Sequence, residues 1–249
     1  MNTFNPIIPN IFKPFHNIIA LQTTRYGGNS IGDYFSLNLG KNTNDDPQVV
    51  QSNYDILKKE IGISDFALSH QIHGDQILEA EKLGIYSGFD AIITQKSNLF
   101  VGVTVADCCP ILIYDQKNNV IAAIHAGWKG TILGIVLKTL QLSKNKYSTD
   151  PKDCYVYIGA CISERNFEVG NDVADNFSPK YKIWDEKRNK FLVNLKEANT
   201  DQCREFGIPN HQIEISKLCT FEDDQLLFSH RKSGGFTGRM LCGIAIKSN

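Results

Sequence analysis

Between residues 99 and 126 the chain alternates apolar runs with short polar breaks. Residues 99–105, 111–114 and 120–124 are almost entirely Val, Ile, Leu, Ala and Phe, separated by Asp107-Cys108-Cys109-Pro110 and by Asp115-Gln116-Lys117-Asn118-Asn119. Runs of this length, bounded by turn residues, predict strands. Apolar side chains at both parities predict strands buried on both faces. The first run ends toward Asp107 and Cys108, and the third delivers His125 to the turn at residues 127–130. A buried sheet that ends in Asp, Cys and His sets basic and soft ligands where its backbone pairing stops, and chemistry is expected there.

The same pattern extends along the chain. Asp46 as N-cap and Pro47 at the first turn, followed by Val50, Tyr54, Leu57 and Ile61 at helical spacing, predict a helix that stops at Gly62. Residues 66–80 read as two strand pieces bent at His73-Gly74-Asp75; on an extended chain His70 and His73 have opposite parity and would not share a face. Residues 88–94 predict a strand with Asp90 at its start. The stripe Ile132, Ile135, Val136, Thr139, Leu140 predicts an amphipathic helix over 131–142, whose entry at 127–130 would offer free amides and Lys129 to an anion. In the second half, strands are expected at 154–160, 212–218 and 240–246, with helices at 170–177 and 194–206. The elements together predict a mixed α/β (α+β) chain, and no linker or repeat divides it, so one domain over 1–249 is expected.

Composition narrows the classes. A length of 249 residues supports a substantial core. A net charge of −1 gives no general reason to bind nucleic acid or an anionic membrane. No run approaches transmembrane length, and the first residues lack the basic start and apolar stretch of a secretory signal. Seven cysteines, an odd number, then read as reduced thiols in a cytoplasmic protein.

His73, Cys108 and His125 each stand at a strand end or bend, so three distant segments can converge. Two imidazoles and a thiolate suit Zn2+ with a fourth position left open; the alternative is a small buried thiol and two satisfied histidines. Cys109 is a rival ligand that should point the other way from Cys108. Asp107 and Asp75 could orient a ligand histidine or move protons, or simply serve their bends. Arg25, which follows a short strand into a glycine-rich loop, together with Lys129, Arg231 and Lys232, suits a phosphate or carboxylate site; solvated loop charge is the alternative. His230 is either an acid–base group or a loop residue.

The segments TTRYGGNS, SLNLG, HQIHGDQI, DAIIT, VTVADCCPILIYD, AAIHAGWKGT, IGACISERNFEVG and SHRKSGGFTGRM occur in the order found in the laccase-domain family, which this chain therefore resembles over nearly its whole length. Members have been called polyphenol oxidases and peptidoglycan editing factors, and are described as zinc-dependent purine nucleoside phosphorylases. The resemblance implies a single α/β/β/α sandwich, also likened to cysteine hydrolases. It implies zinc on His73, Cys108 and His125, and phosphorolysis of adenosine, inosine and S-methyl-5'-thioadenosine, with adenosine deamination in some members. The partners implied are thus small: a nucleoside and phosphate. Lys129 stands where the family commonly has Arg, keeping the charge but losing the bidentate fork. The zinc-deaminase signature HxE with PCxxC is absent, so any deamination would use another arrangement. Two other classes stay open: a copper polyphenol oxidase on a His2Cys site, and a metal-free cysteine hydrolase with Cys108 as nucleophile and His125 or His73 as base.

Overall fold

In the computed structural model, which describes residues 3–248, the apolar runs form two mixed sheets. The chain begins with β1 (Ile18–Gln22), α1 (Pro47–Ile61), β2 (Phe66–His70), β3 (Ile77–Glu79), β4 (Gly84–Ser87) and β5 (Ala91–Thr94). The central region supplies β6 (Phe100–Val105), β7 (Cys109–Asp115) and β8 (Val120–Ala126), then α2 (Trp128–Ile132) and α3 (Ile135–Tyr147). The second half adds β9 (Cys154–Ile158), β10 (Glu168–Val169), α4 (Asn171–Ala174), β11 (Lys182–Asp185) and β12 (Lys190–Val193). It closes with α5 (Leu195–Phe206), β13 (Ile213–Ile215) and β14 (Met240–Ile246). One sheet runs β1-β14-β6-β2-β4, the other β13-β9-β7-β8-β5-β3, and β10-β12-β11 make a small third.

The period-2 alternation of strands sorts the apolar residues into layers. Ala20, Ala67, Val101, Val103, Cys242 and Ile244 of the first sheet meet Ile92, Leu112, Ile121 and Ala123 of the second in one core. Their sequence neighbours Leu21, Leu68, Phe100 and Leu241 face outward and are covered by Val50, Tyr54 and Leu57 of α1. On the far side Ile93, Ile111, Ala122, Ile124 and Val156 are covered by Ile135, Val136 and Leu140 of α3 and Ala198 and Cys203 of α5. The layering is α/β/β/α. Every residue of β7 and β8 is buried, so truncating Leu112, the one leucine of the pair, to Ala would cost about 2–5 kcal/mol. Among the described residues no helix is long and apolar enough to cross a membrane.

Helix α1 matches its sequence signals: the Asp46 carboxylate accepts from the Gln48 amide at 2.8 Å, a cap worth about 1 kcal/mol. The helix expected over 131–142 is instead two. Gly134 takes a left-handed conformation, φ 75, that breaks the run after α2, and α3 continues to Tyr147. The helix expected over 170–177 shrinks to the four residues of α4, and the strand over 212–218 to the three of β13. The third sheet was not visible in the pattern, because Lys182–Asp185 and Lys190–Val193 mix charged and apolar residues on half-exposed faces.

Topology decides where the site falls. β2 belongs to the first sheet and β3 to the second, so residues 71–76 cross between them; residues 106–108 make the same crossing from β6 to β7. β2 and β6 are parallel neighbours, with Phe66 opposite Phe100, so both crossings leave from one edge. The Gln71 side chain prolongs that pairing, accepting from the Thr104 amide and donating to the Thr104 carbonyl, each at 2.9 Å. The antiparallel β7–β8 ladder sets His125 opposite Pro110. Three chain segments thereby meet at the seam between the sheets.

Candidate metal centre and active site

At that seam the potential ligand atoms of His73, Cys108 and His125 lie within 4.8 Å of one another. His73 Nδ1 is 4.0 Å from Cys108 Sγ, and the two imidazole rings meet edge to face with centroids 4.8 Å apart. Gly127 leaves the ligands room: a Cβ there would crowd them, 3.0 Å from His73 Nδ1 and 3.2 Å from Cys108 Sγ.

The carboxylate of Asp90, fully buried at the mouth of β5, holds two of these three residues. His125 donates Nδ1–H to Asp90 Oδ1 at 2.8 Å, which leaves Nε2 as the ligand atom. The same carboxylate accepts from the amides of Ile72, His73 and Gly74 at 3.2, 3.0 and 2.8 Å, fixing the turn in which His73 has φ 59. Burial alone would raise the carboxyl's pKa, but the bonds from His125 and these amides outweigh it and hold it low. Sequence reasoning placed Asp90 at a strand start and gave the orienting role to Asp107 or Asp75. The missed signal was an Asp immediately before the apolar run Ala91-Ile92-Ile93.

Burial alone would likewise push the Cys108 thiol up, yet His125 and then His73 outweigh it and pull it below its ordinary value. Burial disfavours a charged His125, but Cys108 and Asp90 outweigh that and raise it. The pair favours thiolate facing imidazolium, and a metal cation in place of that proton would satisfy the same charges. Cys109 is the opposite case. Fully buried in the core behind the site, it is raised well above an ordinary thiol by a hydrogen bond to Cys161 and by burial.

A cavity of about 350 Å³ opens onto these residues, within the range of about 300–1,000 Å³ typical of small-molecule sites. It is lined by His73, Cys108 and His125 and also by Asp107, His70, His230, Lys41, Arg231 and Arg239. His70 and His73 share it despite their parity, because β2 ends at His70 and the chain turns after it. Asp107, at φ 91, accepts from Thr220 Oγ1, Ser229 Oγ and the Arg231 amide at 2.6, 2.7 and 2.6 Å, so it clasps the loop of Arg231 rather than a histidine. Arg231 spans from there to the carbonyls of Asn166 and Glu168, at 3.4 and 3.0 Å.

Two of the cations expected at an anion site are elsewhere. Arg25 donates to the carbonyls of Phe35 and Asp224 at 2.8 and 2.7 Å and lies over the Phe228 ring; it ties loops together outside the cavity. Lys129 is exposed, 5.5 Å over the ring of Trp128, and α2, with five residues, is too short to focus an anion. Asp75 pairs with Lys138 and Lys232 with Asp224. In exchange the structure brings in Lys41 and Arg239, which loop sequence alone did not single out.

The family model described as multi-copper polyphenol oxidoreductase laccase matches residues 19–247. The chain belongs to this laccase-domain family. The purine nucleoside phosphorylase of Bacteroides thetaiotaomicron is 34% identical over 250 residues, 93% of either chain. The purine nucleoside phosphorylase YlmD of Geobacillus stearothermophilus is 31% identical over 249 residues, 93% of this chain and 91% of the relative. Its crystal structure superposes with a TM-score of 0.89 over 95% of this chain and 94% of that one. The hypothetical protein YfiH of Bacillus licheniformis, 29% identical, reaches 0.92 over 99% and 100%.

Despite the several coppers in the family's description, His73, Cys108 and His125 are the one group of three or more His, Cys, Asp or Glu among the described residues able to hold a metal ion. The donor set of this laccase-domain chain fits such an ion: two nitrogens, one readily ionised sulfur, and an imidazole oriented by a buried carboxylate.

Proposed function

We propose that the protein is a zinc-dependent purine nucleoside phosphorylase acting on adenosine, inosine and S-methyl-5'-thioadenosine. The observation that carries this reading is that a three-ligand group and the cations Lys41, Arg231 and Arg239 line one cavity. The names of the relatives support it.

His73, Cys108 and His125 would hold the zinc, which three protein ligands leave able to act as a Lewis acid at an open position. In phosphorolysis a phosphate oxygen bonds to C1′ of the ribose as the C1′–N9 bond breaks; the base departs with the bonding pair and takes up a proton. The cations hold phosphate against the sugar, replacing a bimolecular encounter by a positioned one. Asp107 sets the Arg231 loop, and Asp90 sets His125 and the His73 turn. His70 and His230 line the same cavity and are imidazoles suited to pass a proton to the departing purine. Deamination of adenosine would use the same cavity with water in place of phosphate.

A second reading rests on Cys108, His125 and Asp90, which stand in the order of nucleophile, base and orienting group. A thiol hydrolase would form no sugar phosphate. Inosine incubated with inorganic phosphate should give hypoxanthine and ribose 1-phosphate in equal amounts, read by chromatography and 31P NMR. Free ribose with phosphate unconsumed would overturn the phosphorylase reading.

A further inference from the structure

Three cations line the cavity, and they differ in what already engages them. Lys41 is exposed, with its ammonium 4.7 Å over the Tyr54 ring, a solvated and screened charge. Arg231 is committed to the carbonyls of Asn166 and Glu168 and lies over Phe167. Arg239 is different. Its Nη1 donates to the carbonyls of Thr237 and Gly238, both at 2.9 Å, which fixes the guanidinium plane. Its Nε and Nη2 make no hydrogen bond, and it forms no ion pair, among the described residues.

The backbone holds this side chain closely. The Arg239 amide donates to Asn38 Oδ1 at 2.9 Å, and its carbonyl accepts from Leu39 at 3.0 Å. Residue 40 is glycine where a Cβ would lie 2.6 Å from Arg239 Cγ, so the stem crosses a gap that another residue would fill. Arg239 directly precedes β14, and Met240 pairs with Val105 at the end of β6, two residues before Asp107. The ladder thus sets Arg239 beside the crossing that carries Cys108. Burial lowers its pKa, against the opposing charges of Cys108 and Asp107, but a guanidinium stays charged. A partly buried cation with two donors in one edge and no carboxylate partner calls for an oxyanion.

We propose that the Nε–Nη2 edge of Arg239 is the binding site for inorganic phosphate, the second substrate. The assignment rests on the phosphorylase reading for the identity of the anion and on the geometry for its place. Two phosphate oxygens accept from Nε–H and Nη2–H while Nη1 keeps its backbone anchors.

Calorimetric titration of the metal-loaded protein with inorganic phosphate tests it. Arg239→Gln should weaken phosphate binding about tenfold or more, with bound metal and melting temperature unchanged. Arg239→Lys should fall between, since it keeps charge but not the fork. Should both variants misfold, modification of wild-type Arg239 by phenylglyoxal, mapped by peptide mass, should be slowed by phosphate. Wild-type affinity in Arg239→Gln, no phosphate binding by the wild type, or no protection would each overturn the proposal. The reaction fails separately: phosphate binding that depends on Arg239 without base release would sink the phosphorylase reading alone. Base release at an unchanged phosphate KM in Arg239→Gln would sink this site alone.

Discussion

The ligand wall of the cavity is made of two strand ends and the turn at His73, and the cationic wall is made largely of loop, yet each is closed by one aspartate. Asp90 is fully buried and gathers three amides of the His73 turn together with the His125 ring. Asp107 is partly exposed and gathers two hydroxyls and one amide of the loop that carries Arg231. A buried clasp leaves few other arrangements, so the ligand geometry is fixed by the Asp90 side chain that ties the His73 turn to the end of β8. The cationic wall hangs on fewer and more exposed bonds, and its residues can be reset without unfolding the core.

That contrast is broken most severely at the ligands. Cys108→Ala should abolish bound zinc and base release together, by metal analysis and assay, while Cys109→Ala, behind the site, should spare both. Next comes Asp90→Asn, which should weaken zinc binding about 10–100-fold in a chelator competition. It should also destabilise the fold by about 3 kcal/mol in denaturant titrations, because a buried network loses its charge. Asp107→Asn should keep the metal but raise the phosphate KM several-fold as the Arg231 loop loosens. If it instead released zinc, the two walls would not be separable. Smaller effects fall outside the cavity. Arg25→Ala should cost about 1–2 kcal/mol of stability from its two carbonyl bonds without changing the phosphate KM. Lys129→Ala should stay within about 0.5 kcal/mol on either side of zero, again with phosphate dependence unaltered.

The two walls were unequally legible in the sequence. Period and composition located β6, β7 and β8, and residues at strand ends pointed to Cys108 and His125, because a buried apolar run leaves little choice of where its backbone stops; His73 was marked by the bend at His73-Gly74-Asp75. The crossing between sheets was invisible, since nothing in residues 71–76 says that β2 and β3 part company. Loop cations were another matter. Glycine-rich surroundings suggested Arg25 and Lys129 as readily as Arg231, and only folding shows which loop lies over the seam. Arg239 lies one residue before an apolar run, as Asp90 does, so strand-end reasoning applied to charges would have marked both. The break at Gly134 shows the reverse limit, where a helical stripe runs on through a residue whose conformation ends the helix.

The proposed reaction joins a metal at His73, Cys108 and His125 to a phosphate at Arg239 in the same cavity, and base release from inosine or adenosine tests that union most directly. Phosphate, oxygen and chelator should be varied independently. The predicted result is release that requires phosphate, is lost on removal of zinc and restored by its return, and does not depend on oxygen. Release that continued undiminished without phosphate, or after complete removal of zinc, would contradict it.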